Sequence, residues 1–397
     1  MISLSGERAS ADIAAFENFR ELFSDLVATL DLSPSQIYNA DESALFLKLL
    51  PNRTIALQDE DIAAGRKVIK NRCTFMPCAN SDGTHKLPLM FLGTAENPRC
   101  LPRDKSQLPV YYKHSKKAWT NRSLFNEWFH TQFVPLVQAF SIQQGIEPKA
   151  LLLLDNCTAH HEGSKALESE DGLISVVFLP PNCTSEGQPM DQGVINAIKK
   201  RYKKKLLLNV VLAADEFSVD DRLKKISLAE SIEWVAEAWD EVSACTISNS
   251  WKKLNKNDRK EEPPPNDLND SIPLNTLVKS IGKLSNSVYT EEEIRCWEDD
   301  WVRDASGNLV TGDNCIYTDL EIIEYVNGTE NKENENNDET MEEEWLEEPE
   351  PVTDFQRAIG SVDFLIQYLD KENMLSEVAK LRFTKNKLME HEYNKRY

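Results

Sequence analysis

Three aspartates, Asp41, Asp155 and Asp191, stand where carboxylates far apart in the chain can meet. Asp41 ends the run Gln36-Ile37-Tyr38-Asn39-Ala40. Asp155 ends Leu151-Leu152-Leu153-Leu154, and Asp191 opens a helical stretch behind Gly187 and Pro189. A buried strand that delivers an acid at its carboxyl end sets it at the rim of a sheet, where open α/β sheets bind ligands. With those two strands as neighbours, Asp41 and Asp155 converge and Asp191 swings in from its helix. Three crowded carboxylates repel one another, so such a site is tenable only around bound cations. Mg²⁺ suits it, preferring hard oxygen ligands and one or two carboxylates per ion. Two such ions about 3.5–4 Å apart can clamp the attacking and leaving oxygens of a phosphodiester without a covalent nucleophile. Taken singly, each aspartate also fits a turn residue or a helix N-cap, and the residues alone leave both readings open.

The elements that must position these acids follow from periodicity. A helix is predicted over 10–30, with Ser10 as N-cap and Ile13, Phe16, Phe19, Phe23, Leu26 and Leu30 at helical spacing. A strand over 36–40 leads into Asp41. Strands over 69–80 and 86–94 flank the turn signal Ser81-Asp82-Gly83, a hairpin. Residues 95–120 read as irregular, with Pro98, Pro102 and Pro109. A helix over 121–140 carries Phe125, Trp128, Phe129 and Phe133 on one face. The Leu-rich strand is followed by a short helix over 158–168, a strand over 174–179 and a helix after Asp191. A single amphipathic helix is expected over 227–254, with Ile232, Val235, Trp239 and Val242 on one side. The order predicts an α/β fold with a mixed sheet flanked by helices. The expected division is an N-terminal helix and linker (1–35), the core (36–255), a linker with an acidic, largely disordered segment (256–353) and a C-terminal helix (354–397).

The net charge of −21 is unevenly spread. Residues 319–350 hold fourteen Asp/Glu and one Lys, whereas Lys199, Lys200, Arg201, Lys203, Lys204 and Lys205 put six cations into seven positions. No apolar run is long enough to span a bilayer, and the first residues lack the basic-then-apolar pattern of a signal peptide, so neither membrane insertion nor secretion is supported. The eight cysteines are scattered without a Cys-x-x-Cys, which fits free thiols in a reducing compartment. Cys73, Cys78 and His85 have poor spacing for zinc and read better as buried side chains.

The residues around the aspartates resemble the DDE superfamily endonucleases of the pogo and Tigger transposons and their jerky-like domesticated relatives. The resemblance is carried by Ile37-Tyr38-Asn39-Ala40-Asp41-Glu42-Ser43, by Leu153-Leu154-Asp155-Asn156 with His160, and by Leu179-Pro180-Pro181-Asn182-Cys183-Thr184-Ser185 followed by Gln188-Pro189-Met190-Asp191-Gln192-Gly193. It implies a ribonuclease H-like fold and an Asp41, Asp155, Asp191 triad. It further implies Mg²⁺ or Mn²⁺, and cleavage and transfer of DNA strands in the nucleus. Asn156 and His160 fall in the second motif with supporting or structural roles. Glu186 departs from the family's apolar residues there and is expected to disturb the approach of the Asp191 helix. Family members begin with helix-turn-helix modules, and Leu4-Ser5-Gly6-Glu7 resembles the linker after them, as in a truncated gene model, a degenerate copy or a domesticated core.

Lys199, Lys200, Arg201 and Lys203 are the candidate DNA contacts, gripping phosphates beside the acids; such contacts give affinity rather than sequence choice and are strongly salt-dependent. The same run fits a solvated helix face or a nuclear localisation signal. Tyr111, Tyr112 and Trp119 either stack on unpaired bases or pack on the body. Two other functions compete: a domesticated nucleic-acid-binding or regulatory protein with little catalysis, and a protein-binding factor that uses the acidic segment and the last helix. Homo-oligomerisation is compatible with all three. The acidic segment reads most simply as a solvated tail. Deleting 319–350 is therefore expected to leave the affinity for a labelled DNA duplex unchanged in fluorescence anisotropy at fixed salt; tighter binding would show instead that the segment shields the basic run.

Overall fold

Phe16, Phe19 and Phe23 are spaced to share one side of a helix, and they form the buried stripe of α1 (Ile13–Thr29). Ile13 and Leu30, expected on that stripe, are exposed. The computed structural model describes residues 13–50, 72–157, 167–255, 273–285, 289–298, 301–303 and 309–311, with eight separate positions between 359 and 388. The acidic segment, His160 and most of the helix expected over 158–168 lie outside the described residues. Of the C-terminal helix, only those eight helical positions are described.

Two short strands, β1 (Ile37–Ala40) and β2 (Ser43–Phe46), are halves of one extended run. They pair antiparallel with β4 (Cys78–Asn80) and β3 (Arg72–Met76) respectively. The register does not slip between the halves, since Ala40 faces Cys78 and Ser43 faces Phe75. Pro77 therefore falls opposite Asp41. Proline has no N–H to donate, so the ladder opens there and Asp41 leaves the regular pairing. The expected hairpin follows: β3 pairs antiparallel with β5 (Met90–Gly93), and Asp82 Oδ1 accepts from Thr84 N at 3.0 Å in the turn.

The stretch read as irregular contains β6 (Tyr111–His114), which pairs parallel with β5. Its Tyr112 is buried and donates to Ala95 O at 2.6 Å, while Tyr111 packs against the core; these rings belong to the body of the fold. The expected aromatic helix is α2 (Arg122–Trp128), a π turn (Phe129–Phe133) and α3 (Val134–Gln144). Its Phe125, Trp128, Phe129 and Phe133 are fully buried against Tyr38, Leu152 and Leu154.

The leucine run is β7 (Ala150–Leu154), parallel to β1 on one side and to β8 (Ile174–Phe178) on the other. The sheet order is β4-β1-β7-β8, continued through the bent β1/β2 and β3/β4 pairs into β2-β3-β5-β6. This mixed sheet with helices on its faces is the ribonuclease H-like arrangement. Strand alternation sorts the two faces. Tyr38, Ala40, Leu152 and Leu154 meet the aromatic helix, whereas Ile37, Leu151 and Leu153 meet α1 with Trp251 and Leu254.

Past β8 come α4 (Thr184–Gly187), a π turn (Met190–Val194), α5 (Ile195–Leu212) and α6 (Val219–Lys225). The single helix expected over 227–254 is two, α7 (Leu228–Asp240) and α8 (Ala244–Ser250). Ser243 caps α8 by accepting from Thr246 N, and Lys86 Nζ donates to the carbonyls of Trp239, Asp240 and Val242 at 2.8–2.9 Å, satisfying the open end of α7. Helices α9 (Leu274–Leu284) and α10 (Glu291–Glu298) and a hairpin of β9 (Trp301–Arg303) and β10 (Leu309–Thr311) complete the described elements. The chain groups into two compact units, 1–203 with 228–269 and 295–317, and 204–227 with 270–294 and 318–397; the large sheet lies in the first.

Gly83 marks where the hairpin turn meets α8. Its φ is +73°, and a Cβ there would stand 2.5 Å from Ala244 Cα. Gly83→Ala is expected to cost about 2 kcal/mol or more, from left-handed strain plus backbone displacement. Urea unfolding measures it, and an unchanged midpoint would contradict this packing.

Candidate active site

Parallel register brings the first two acids together. In the β1–β7 pair Asn39 stands level with Leu153, so two residues further on Asp41 stands level with Asp155. Alternation directs both toward the face that carries α1 and Trp251, not toward the aromatic helix. Asp41 is buried, Asp155 half-buried and Asp191 exposed. Asp191 does not sit in a regular helix. It belongs to the π turn Met190–Val194, broken internally by Gln192 and by Gly193 at φ +101°.

The segments around the acids are joined by two buried amides. Asn39 Nδ2 donates to Leu153 O at 2.9 Å and to Gln188 Oε1 at 2.7 Å, while Asn39 Oδ1 accepts from Met190 N at 2.9 Å. Gln188 Nε2 donates to Ala40 O at 3.3 Å, and the Gln188 side chain also hydrogen-bonds the Asp41 carboxyl. Asn39 and Gln188 stand within the first and third motifs, where the sequence alone assigns them no role. The available signal was Asn39 itself, a polar residue on a strand whose neighbours on that face are apolar, since a buried amide needs partners.

The Asp41 carboxyl is held well above the usual carboxylate range, first by burial, then by the charges of Asp191, Asp155 and Glu42; the Gln188 hydrogen bond pulls the other way. Asp155 and Asp191 thus both act electrostatically on Asp41. Among the described residues, no group of three His, Cys, Asp or Glu is close enough together to hold a metal ion. The donor set nevertheless fits a divalent cation, because three hard carboxylates supply the oxygens that Mg²⁺ or Mn²⁺ prefers and their mutual repulsion is what a cation relieves.

Residues 70–251 match the family profile of the DDE superfamily endonucleases, a stretch that includes Asp155 and Asp191. The chain is 36% identical over 262 residues to the human Tigger transposable element-derived protein 7, covering 63% of this chain and 48% of that protein. It is 34% identical over 255 residues to the mouse Jerky protein, covering 64% of this chain and 43% of that one. Over these stretches the chain is similar to DDE superfamily endonucleases and to Tigger- and Jerky-type proteins. It spans about half the length of the curated relatives it matches. Among solved structures, a pre-cleavage Mos1 transpososome aligns at a TM-score of 0.34 and 12% identity, over 72% of this chain and 65% of that one. A Mos1 mariner paired-end complex with Mn aligns at 0.32 and 12%, over 68% and 64%.

The remaining candidates are scattered. Asn156 is exposed beside Asp155, and His160 lies outside the described residues. Lys199, Arg201 and Lys203 are buried, not arrayed as an open phosphate grip. Lys203 Nζ donates to Trp297 O at 2.6 Å and Glu298 O at 3.3 Å, and its amine lies 5.1 Å from the Trp297 ring centroid. Arg201 donates to Ala197 O and faces Glu241 at 3.9 Å. Lys200 is half-buried. Glu186, expected to disturb the Asp191 approach, pairs with Lys253 at 3.0 Å, which offsets its charge. Cys73 Sγ donates to Leu45 O and His85 Nδ1 pairs with the Tyr38 hydroxyl, so neither is arranged for zinc.

The elevated Asp41 makes a stability prediction. Its folded form holds a proton that the unfolded chain releases, between the ordinary carboxylate pKa and the raised one. Cation-free protein therefore loses stability as pH rises through that window, and Asp41→Asn abolishes that loss. Urea unfolding in EDTA across the window tests this; a wild-type profile that does not fall, or an unaltered slope in Asp41→Asn, would contradict it.

Proposed function

We propose that this chain is the catalytic core of a metal-dependent DDE endonuclease that cleaves and transfers DNA phosphodiesters in the nucleus. The observation that carries the reading is the β1–β7 register, which sets Asp41 and Asp155 at one level at the ends of adjacent parallel strands. The carboxylates of Asp41, Asp155 and Asp191 would hold Mg²⁺ or Mn²⁺. Bound ions of this kind activate the attacking oxygen and stabilise the leaving one. The chain's own part would be geometric: the strands set Asp41 and Asp155 level with each other, and the π turn Met190–Val194 carries Asp191. Lys200 contributes a phosphate contact without sequence choice.

A second reading is a domesticated nucleic-acid-binding protein with little or no catalysis. It is favoured by the similarity to a transposable element-derived protein and to the Jerky protein. Nicking of supercoiled DNA in Mn²⁺ separates the two. Catalysis predicts metal-dependent nicking that Asp155→Ala reduces by more than about 100-fold, since even the partners of metal ligands are worth about 10–100-fold. DNA retention with no nicking under any divalent cation would favour the binding protein.

A further inference from the structure

We infer that Asn39 and Gln188 are positioning residues of this site: their paired amides fix the spacing of Asp41, Asp155 and Asp191 by tying together the three segments that carry them. The inference rests on the metal-dependent reading above. Each anchor lies close in sequence to an acid. Asn39 precedes Asp41 by two residues, Leu153 precedes Asp155 by two, and Met190 is next to Asp191. Asn39 bonds to the backbone of both Leu153 and Met190, so one side chain links all three motifs.

The polarity of the pair is determined by its partners. Met190 N can only donate, so it faces Asn39 Oδ1; Leu153 O can only accept, so it faces Nδ2. Ala40 O likewise requires Gln188 Nε2, which leaves Gln188 Oε1 for the second Asn39 hydrogen. Donation thus runs from Met190 N through Asn39 and Gln188 to the backbone of Ala40 and the Asp41 carboxyl. A carboxylate at 188 would have no hydrogen to donate, and an apolar side chain at 39 would leave Leu153 O without this donor and Met190 N without this acceptor. Both amides are fully buried, at 0% exposure. Neighbours on the same face, Ile37, Leu151 and Leu153, are apolar, so packing alone does not require an amide at 39. Buried networks of this kind hold their members in one arrangement when every group is satisfied.

The test uses the full chain and its near-isosteric variants Asn39→Leu and Gln188→Met, with Mn²⁺ as the probe. Calorimetric titration reads affinity, and electron paramagnetic resonance reads the exchange-coupled signature of a Mn²⁺ pair. Affinity is expected to fall about 10–100-fold, as for partners of metal ligands generally, and the coupled signal to disappear. A merely structural role would instead lower the unfolding midpoint in EDTA while leaving Mn²⁺ affinity of the folded fraction unchanged, which would overturn the inference. Wild type that binds Mn²⁺ no better than either variant overturns the positioning role alone; wild type that binds no Mn²⁺ overturns this role and the metal-dependent reading together. Hydrogen exchange of the Asn39 and Gln188 side-chain amides in the unaltered, metal-free chain gives a check free of folding defects. Slow exchange is expected, and solvent-rate exchange would overturn the pair.

Discussion

Repulsion among Asp41, Asp155 and Asp191 is the constraint to which this part of the molecule answers. One of the three is buried and the other two press on it, so without a cation the ionised arrangement is unfavourable. Something other than mutual attraction must hold the acids together. Two devices do so: the parallel β1–β7 ladder, which sets Asp41 and Asp155 at one level, and the Asn39–Gln188 pair, which draws the Met190 segment onto the same rim. Individual neutral hydrogen bonds contribute only about 1 kcal/mol net, but leaving a buried partner unmade costs about 1–3 kcal/mol, so the pair is held as a unit.

The surroundings reinforce that rim. Pro77 opens the antiparallel ladder opposite Asp41, freeing the acid from regular pairing while β1 and β2 keep one register. On the opposite face, a nearly unbroken aromatic layer from Phe125 to Phe133 packs under Tyr38 and Leu152. The strand ends that carry the acids therefore rise from a rigid base. The Glu186–Lys253 pair offsets the one charge that departs from the family pattern next to the third motif.

Much of this was legible in the sequence because it depends on short-range patterns. Ile37–Ala40 and the four leucines are short strand-like runs that each deliver an aspartate, and equal offsets in parallel strands translate into equal heights. The aromatic helix was legible from its spacing. Strand β6 was not: Tyr111–His114 has no apolar alternation, lies among prolines, and is a strand because β5 offers it a parallel edge. Nor was the split between α7 and α8, where hydrophobic periodicity carries on across a break capped by Lys86 from the distant hairpin. The basic run read as an open DNA contact or a solvated face because consecutive cations are usually exposed. Lys203 instead finds carbonyl partners at Trp297 and Glu298, ninety-odd positions later, which no local pattern reveals. The role of Asn39 has the same character, since its partners come from two other motifs.

The central claim is that divalent cations bind where the three acids meet. Anomalous diffraction from crystals of the chain grown with Mn²⁺ tests it most directly. The account predicts anomalous density in contact with the carboxylates of Asp41, Asp155 and Asp191, with the Asn39–Gln188 bond intact. Mn²⁺ density elsewhere and none at this rim, at concentrations that saturate the protein, would contradict it.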